Sequence, residues 1–320
     1  MKKVISLVLS VAMILCALSA CSSSGKDKTL KIAVVQQMDH TSLDEIRNAI
    51  VAQLNARSEK DGVAIEIKEL NGQNDNTTLN QIGAQVVGDG YDAIIPIATL
   101  AAQCMVTAAD GTDIPIIYAA ISDPAAAGLT DLPNVTGTSD ALNTPFILDM
   151  MLAVQPEVKT VGLLYSNSEA NSITPIAQAK EYLDSKGIAY LEKTGNTTDE
   201  IIAAVSSLVG RVDAVFTPTD NTIMGAESAV AETLNGAGIP HYAGADSFVQ
   251  AGAFATCGVN YTELGTKTAD MAMDILQGGE IPAFHVMDGG IITVNSTAAK
   301  AAGIDYAPFA GMAGTVIEVK

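Results

Sequence analysis

YDAIIPIATLAAQCMVTAADGTDIPIIYAAISD, residues 91–123, has a counterpart later in the chain, VDAVFTPTDNTIMGAESAVAETLNGAGIPHYAGADS, residues 212–247. Each stretch begins with a strand that opens Asp-Ala, passes through a polar turn into an Ala-rich helix, and ends with a strand that opens Ile-Pro. Thr99 of the first stretch falls opposite Asp220 of the second. Any two strand-helix-strand units share some of these features, but the repeat favours two similar α/β lobes.

The remainder of the chain alternates strand and helix signals in the same way. LKIAVV, residues 30–35, is a short apolar run of the kind buried on both faces of a parallel sheet. Ser42 and Glu45 predict a capping box, followed by apolar residues at helical spacing: Leu43, Ile46, Ile50 and Leu54. The fold class is therefore α/β, with two Rossmann-like lobes built on parallel sheets. Ligands of such sheets bind outside the carboxyl ends of the strands, where Thr99 and Asp220 are expected.

The first 28 residues have the features of an export signal and a tether. Lys2 and Lys3 precede an apolar run that is too short and wrongly flanked for a transmembrane span. The run ends Leu-Ser-Ala-Cys at Cys21, which resembles a bacterial lipoprotein signal. We expect residues 1–20 to be a signal peptide and 21–28 a tether, with lipid, including palmitate, on Cys21. An ordinary secretory signal with a chance cysteine is the alternative.

Composition and cysteine usage exclude several classes of protein. The chain has 17 Lys and Arg against 36 Asp and Glu, a net charge of −19, so nucleic acid is an improbable partner. Of its four cysteines, Cys16 falls in the signal and Cys21 takes the lipid. Cys104 and Cys257 lie far apart in apolar settings, which favours two buried thiols over a disulfide. No metal-binding set and no cofactor motif is visible.

Seven motifs in order carry a family resemblance from Lys31 to Ile304: VVQQMDHTSLDEIRNAI, ISDPAAAGL, NVTGTSD, VGLLYSNSEANS, PTDNTI, GAFATCGVNYTELGTKTADMAMDIL and VNSTAAKAAGI. They resemble the ABC transporter substrate-binding lipoproteins that include tryptophan and tyrosine binders. The resemblance implies a type I periplasmic-binding fold, in which two lobes close on a small solute. It also implies delivery of that solute to an ABC permease and its ATPase, by a monomer anchored on the extracytoplasmic face of the membrane.

Two departures from the family pattern touch the expected cleft. Asp39 stands where Glu more often precedes the histidine, and Ser166 replaces an Asn usual after Tyr165. By analogy with the fold, lobe I is expected to take residues 29–122 and 261–286, and lobe II residues 123–260 and 287–320. The crossing segments between the lobes are then expected near Ser122, Asn260 and Met287.

A free amino acid carries two charges, and burying either without a partner costs several kcal/mol. Thr99 begins a helix, so its hydroxyl and the helix-start amides are expected to hold the carboxylate. Asp220 and Glu169 are the candidate partners of the ammonium. Further candidate contacts are Asn167, Asn171, Ser172 and Asn221 in the second lobe, and Gln36, Asp39 and His40 in the first. Plain helix capping is the alternative for Thr99, Ser172 and Asp220.

The chain has no Trp, so an aromatic ligand must stack on Tyr or Phe. Tyr261, at a predicted crossing, is the best cleft candidate, whereas Tyr118 and Phe216 are expected in the core. Catalysis is not expected, because no nucleophile is spaced to use His40 and no hydrolase or nucleotide motif is present. The alternatives are a nucleoside-binding or sugar-binding protein of the same fold, a ligand-sensing lipoprotein without transport, and a degraded enzyme.

Overall fold

The computed structural model describes residues 29–320, so the predicted signal peptide, the tether up to residue 28 and Cys21 lie outside the described residues. The strands are β1 Leu30–Gln36, β2 Ile65–Asn71, β3 Ala93–Ile97, β4 Ile116–Tyr118, β5 Val135–Ser139, β6 Thr160–Tyr165, β7 Ala189–Thr194, β8 Ala214–Thr217, β9 His241–Ala243, β10 Ala255–Gly258, β11 His285–Val286, β12 Ile291–Asn295 and β13 Thr315–Val319. The α-helices are α1 Thr41–Asp61, α2 Asn76–Gly88, α3 Thr99–Ala108, α4 Thr144–Val154, α5 Ile173–Lys186, α6 Thr198–Ser206, α7 Asn221–Gly236, α8 Asp246–Gln250, α9 Tyr261–Leu276 and α10 Ser296–Ala302.

The strands form two sheets with the same winding. The first has the order β11-β5-β4-β3-β1-β2, and the second has the order β13-β12-β10-β9-β8-β6-β7. Every pairing is parallel except that of β10 with β12. The strand order reverses between β1 and β3 in one sheet and between β6 and β8 in the other. The predicted α/β architecture of two lobes is confirmed, and its two reversal points are where ligands of such sheets bind.

Between residues 29 and 320 the chain changes sheet three times, and the first change is later than the sequence indicates. Strand β5 pairs with β4 in the first sheet, so the expected boundary at Ser122 is wrong. VTGTS, residues 135–139, is a polar segment that carries no apolar run, yet all five of its residues are buried. The first passage to the second lobe begins after Ser139. The later changes lie between β10 and α9, and between β11 and β12.

The cores follow the predicted periodicity. Apolar side chains on one face of α1 are buried against α9 and the first sheet: Leu43, Ile46, Ile50 and Leu54. Tyr118 and Phe216 are fully buried, as predicted. Cys104 and Cys257 are buried free thiols, which confirms the prediction that they do not form a disulfide. Across residues 29–320 no helix has the length and apolar character to cross a membrane.

Candidate functional site

A cavity lies between the two lobes, at the carboxyl ends of the central strands of both sheets. It encloses about 370 Å³ of empty space, including the part that opens to solvent. The first lobe contributes the start of α1, the β3–α3 turn and the end of β4, and the second contributes the β8–α7 turn and α8. The two reversal points of the sheets therefore meet at one site, as the repeat in the sequence predicts.

The structure brings together some of the sequence-predicted residues and leaves others outside the cavity. Six of them line it: His40, Thr99, Asn171, Asp220, Asn221 and Tyr261. Gln36, Glu169 and Ser172 are buried but are not among the lining residues. Asp39 and Asn167 are exposed, and neither lines the cavity. A contact between any of these residues and a ligand stays a prediction. The six lining residues could touch a ligand directly, and the others could act on it only through their neighbours.

A buried aspartate that the sequence analysis did not select is the most isolated charge in the cavity. Asp140 follows β5 directly, and its carboxylate accepts hydrogen bonds from Ser122 Oγ at 3.1 Å and Tyr261 Oη at 3.2 Å. Burial raises its pKa, and the two hydroxyl donors only partly oppose that effect. No Lys or Arg is among the described residues that line the cavity. Asp140 could have been found in the sequence as the last residue of the motif NVTGTSD. It was missed because the preceding residues were not recognised as strand β5.

Asp220 is also buried at the cavity, but its oxygens are already engaged within the second lobe. Oδ1 accepts from the Ile223 amide at 2.9 Å and so caps α7. Oδ2 accepts from the Ser166 amide and from Ser172 Oγ, both at 2.7 Å. Burial raises the pKa of Asp220, against these hydrogen bonds. The capping alternative named for Asp220 is therefore present in the structure.

Glu169 lies behind the cavity and joins the lobes. Its Oε1 accepts from Gln37 Nε2 of the first lobe at 3.1 Å and from Thr222 Oγ1 at 3.2 Å. Its Oε2 accepts from Asn221 Nδ2 at 2.8 Å. Burial, and then the charge of Asp220, raise the pKa of Glu169 to about 7. Sequence reasoning missed Gln37, which follows Gln36 at the end of β1 and is fully buried.

His40 forms a second bridge between the lobes. Its Nε2 lies 3.0 Å from Asn221 Oδ1, and its Nδ1 is buried with no hydrogen-bond partner among the described residues. Burial lowers the pKa of His40, which the bond to Asn221 and the charges of Asp44 and Asp39 only partly offset. Burial therefore favours the neutral form of the ring.

The first turn of α1 differs from the predicted capping box. His40, rather than Ser42, occupies the N-cap, and its side chain makes no capping hydrogen bond. Ser42 Oγ instead lies 2.5 Å from Ser247 Oγ in the second lobe. The box prediction is wrong because Ser42 lies inside the helix, where its hydroxyl reaches across the cleft.

Hydrogen bonds cross the cleft at several further points, which identifies the conformation as closed. Besides those of Gln37, His40 and Ser42, they join Asn74 to Thr222 at 3.4 Å, Ser122 to Thr219 at 3.0 Å, and Thr174 to Asp123 at 2.7 Å. Individually such bonds contribute about 1 kcal/mol. Together they close the rim around the cavity.

Part of the cavity lining is apolar. Leu43 and Ile46 come from α1, and Met224 and Phe248 come from the second lobe. Ala98 and Ala120 also line the cavity, with φ values of 74° and 58° that residues other than glycine rarely adopt. Strained backbone of this kind collects at ligand sites, where surrounding structure holds it in place. Here the strain follows the carboxyl ends of β3 and β4.

One buried group of side chains forms a hydroxyl–imidazole–carboxylate chain of hydrogen bonds like that of a hydrolytic triad. His241 Nε2 lies 2.8 Å from Thr217 Oγ1, and His241 Nδ1 lies 3.0 Å from Glu227 Oε1. All three side chains are buried, and none of them lines the cavity. The group lies within the second lobe, on β8, β9 and α7, out of reach of a solute in the cleft.

Comparison with known proteins identifies a family. A family model described as ABC transporter substrate binding protein matches residues 31–308. A tyrosine-binding protein of Clostridioides difficile (strain R20291) is 33% identical to this chain, over 94% of this chain and 92% of the relative. These matches span nearly all of the described residues.

Two solved structures bear on the conformation as well as the family. A Streptococcus pneumoniae ABC domain in complex with L-Trp is 32% identical, with a TM-score of 0.84, over 91% of this chain and 100% of that one. A ligand-free, open substrate-binding protein from Clostridium difficile is 34% identical, with a TM-score of 0.68, over 91% and 100%. The two sequence identities are nearly equal, so the difference in TM-score reflects conformation more than sequence. The higher TM-score with the ligand-bound structure agrees with the closed cleft that the hydrogen bonds between the lobes indicate.

Proposed function

The chain belongs to the ABC transporter substrate-binding protein family, and we propose that the solute it binds between its lobes is an aromatic amino acid, which it delivers to a membrane permease. The relatives that carry this proposal are a tyrosine-binding protein and a structure with bound L-Trp. The single observation in this chain that supports it most is the buried carboxylate of Asp140.

An isolated buried carboxylate is stabilised by a cation, and the described residues that line the cavity include no Lys or Arg. Asp140 is 6% exposed and is held by two neutral hydroxyls. A ligand ammonium beside it would give a buried ion pair that retains both hydrogen bonds, which is the condition under which such pairs are stable. We therefore propose Asp140, ahead of Asp220 and Glu169, as the partner of the ammonium.

The α-carboxylate has a matching place on the first lobe. Thr99 is the first residue of α3 and is 3% exposed, so its hydroxyl and the positive end of the helix dipole face the cavity together. The apolar wall that includes Leu43, Ile46 and Phe248 then receives an aromatic side chain. Tyr261 lines the same space and donates to Asp140, so it both positions the carboxylate and contacts the ligand.

Membership of the family implies an extracytoplasmic location. We propose that the chain is held there by lipid on Cys21, after removal of residues 1–20, and that it acts as a monomer. The proposal rests on the sequence of the signal. Cys21→Ala should abolish partitioning of the protein into a detergent phase, because the thiol is the only lipid acceptor at the junction. Unchanged partitioning of the variant would remove the lipoprotein proposal.

Binding rather than catalysis is the proposed activity. The buried Thr217, His241 and Glu227 group does not reach the cavity, so it supports no role in turnover of a solute there. A sensing lipoprotein would use the same closed cleft, and the presence of neighbouring permease and ATPase genes separates transport from sensing. Nucleosides and sugars carry no ammonium group to pair with the Asp140 carboxylate, so we propose amino acids rather than these solutes as ligands.

Calorimetric titration of the purified, ligand-stripped protein tests the proposal. Tyrosine or tryptophan should bind, and nucleosides and sugars should not. Asp140→Asn should weaken amino-acid binding by two to four decades, since removing one partner of a buried ion pair costs roughly 3 to 5 kcal/mol. Asp110→Asn is the matched control, because Asp110 is an exposed carboxylate that does not line the cavity, and the affinity of this variant should stay within about threefold. Equal effects of the two substitutions would contradict the assignment.

A further inference from the structure

The hydrogen-bond chain Glu169, Asn221, His40 determines which ring nitrogen of His40 carries the proton. Asn221 Nδ2 lies 2.8 Å from Glu169 Oε2, which accepts, so the amide NH₂ group points away from His40. Asn221 Oδ1 therefore faces His40 Nε2 at 3.0 Å. A carbonyl oxygen only accepts, so Nε2 must hold the hydrogen.

The other ring nitrogen is then an acceptor without a donor. A neutral imidazole carries one N–H, so a proton on Nε2 leaves a lone pair on Nδ1. Nδ1 is buried and has no hydrogen-bond partner among residues 29–320. His40 lines the cavity, so a bound solute is the group placed to supply the missing donor. Leaving such an acceptor unpaired in a closed site is costly.

We propose that His40 Nδ1 is the specificity determinant of the cleft, and that it selects aromatic amino acids whose ring carries a hydrogen-bond donor. A phenol O–H or an indole N–H meets this requirement, and the unsubstituted ring of phenylalanine does not. This inference rests on the proposed function, because it concerns the side chain of the amino acid bound there.

The ring end of the ligand, rather than its ammonium, fits His40 for two reasons. The ammonium already has a stronger partner in the carboxylate of Asp140. His40 immediately precedes α1, whose Leu43 and Ile46 form the apolar wall proposed for the ring. A tyrosine hydroxyl or a tryptophan N–H needs a partner when its ring is buried, and His40 lines the same cavity as Leu43 and Ile46.

Two substitutions of His40 separate the roles of its two nitrogens. His40→Gln places an amide near the position of Nε2, so it retains the donor to Asn221 and removes the acceptor at Nδ1. His40→Asn places an amide near the position of Nδ1 and removes the bond to Asn221. The dissociation constants of L-tyrosine, L-tryptophan and L-phenylalanine, measured by calorimetry for the wild type and both variants, test the inference.

The wild type should prefer tyrosine or tryptophan to phenylalanine by about ten- to a hundredfold, the effect of one unpaired buried acceptor. His40→Gln should reduce this ratio to near one by weakening only the donor-bearing ligands. His40→Asn should weaken all three ligands alike and keep the ratio. An unchanged ratio in His40→Gln, or equal binding of phenylalanine by the wild type, overturns the inference while leaving amino-acid binding intact. Failure of all three ligands to bind the wild type overturns the proposed function with it.

A measurement on the wild-type protein keeps the inference testable if the variants fold poorly. The chain has three histidines, so ¹⁵N-histidine labelling gives few ring signals, and the substitution His285→Gln, at an exposed position, identifies one of the other two. The Nε2–H tautomer should be present with and without ligand, and the Nδ1 resonance should move with tyrosine but not with phenylalanine. An Nδ1–H tautomer, or equal movement with both ligands, overturns the inference.

Discussion

Asp140 and Asp220 are both buried beside the cavity, but their partners predict different consequences of losing the charge. The carboxylate of Asp220 accepts two backbone amides and one hydroxyl, all within its own lobe. Asp220→Asn replaces one of these acceptor oxygens by an NH₂ group that faces donors. We therefore expect the free energy of unfolding of the ligand-free protein to fall by about 1 to 3 kcal/mol.

Asp140→Asn should leave the stability of the ligand-free protein unchanged or raised, because it removes a buried charge that no Lys or Arg accompanies among the described residues lining the cavity. Urea denaturation of both variants without ligand checks the contrast. If Asp220→Asn were as stable as the wild type and Asp140→Asn were not, the two assignments would have to be exchanged.

Glu169 predicts a dependence of stability on pH. Its pKa in the native protein is about 7, raised first by burial, against about 4.3 in an unfolded chain. A carboxyl group whose pKa is raised on folding stabilises the native state fully below the unfolded pKa, and that stabilisation is lost as pH rises through about 7.

The unfolding free energy of the wild type should therefore contain a Glu169 contribution that falls by at most about 1.4 kcal/mol per pH unit in this window. Glu169→Gln does not titrate and should lose that contribution. Denaturation of both proteins from pH 4.5 to 8 measures the difference, and identical slopes would show that Glu169 has an ordinary pKa in the native state.

Packing of α1 on α9 depends on a close approach at Gly265. A Cβ atom added there would lie 2.7 Å from both Ala49 Cβ and the Ile46 carbonyl oxygen. The second contact is with backbone, which cannot move aside without separating the helices. Gly265→Ala should therefore destabilise the protein by about 1 to 3 kcal/mol, even though alanine favours a helix.

Gly236→Ala is the matched control for the helix-propensity part of that effect. Gly236 ends α7, and a Cβ atom there would have no neighbour within 4 Å. Its replacement should stabilise the protein by up to about 1 kcal/mol. Thermal unfolding of the two variants should shift in opposite directions, and a shared upward shift would contradict the close helix contact.

The conformation of the whole molecule is closed, which predicts that the cleft can be locked. Ser42 and Ser247 lie on opposite lobes with their hydroxyl oxygens 2.5 Å apart. In the double variant Ser42→Cys/Ser247→Cys, oxidation should join the lobes, and ligand added afterwards should associate at least about tenfold more slowly than with the reduced form. Stopped-flow binding with and without reductant measures this.

The single variants Ser42→Cys and Ser247→Cys control for the loss of each hydroxyl, and neither should respond to oxidation. If the oxidised double variant bound added ligand at the rate of the reduced form, entry to the cavity would not require separation of these two positions.

Local pattern was enough to predict the α/β class, the two lobes and part of the site. Apolar runs and helical spacing report which faces are buried, and the repeat placed Thr99 and Asp220 at equivalent turns that the structure brings to one cavity. His40 was predicted for the first lobe's opening turn, and Tyr261 for a crossing between the lobes by analogy with the fold; both line the same cavity. The turns that carry Thr99 and Asp220 could be predicted because they depend on residues close together in the chain, whereas the contacts of all four with a ligand stay predictions.

The tertiary structure alone decided the role of each polar group. Strand β5 is polar in sequence and buried in the fold, so Asp140 at its end gave no periodic signal. Gln37, Ser42 and Ser247 acquire their partners on the opposite lobe only when the lobes meet. The physical reason is that a polar side chain is defined by its partner and its burial, and both come from residues far away in the chain, such as the 132 positions that separate Gln37 from Glu169.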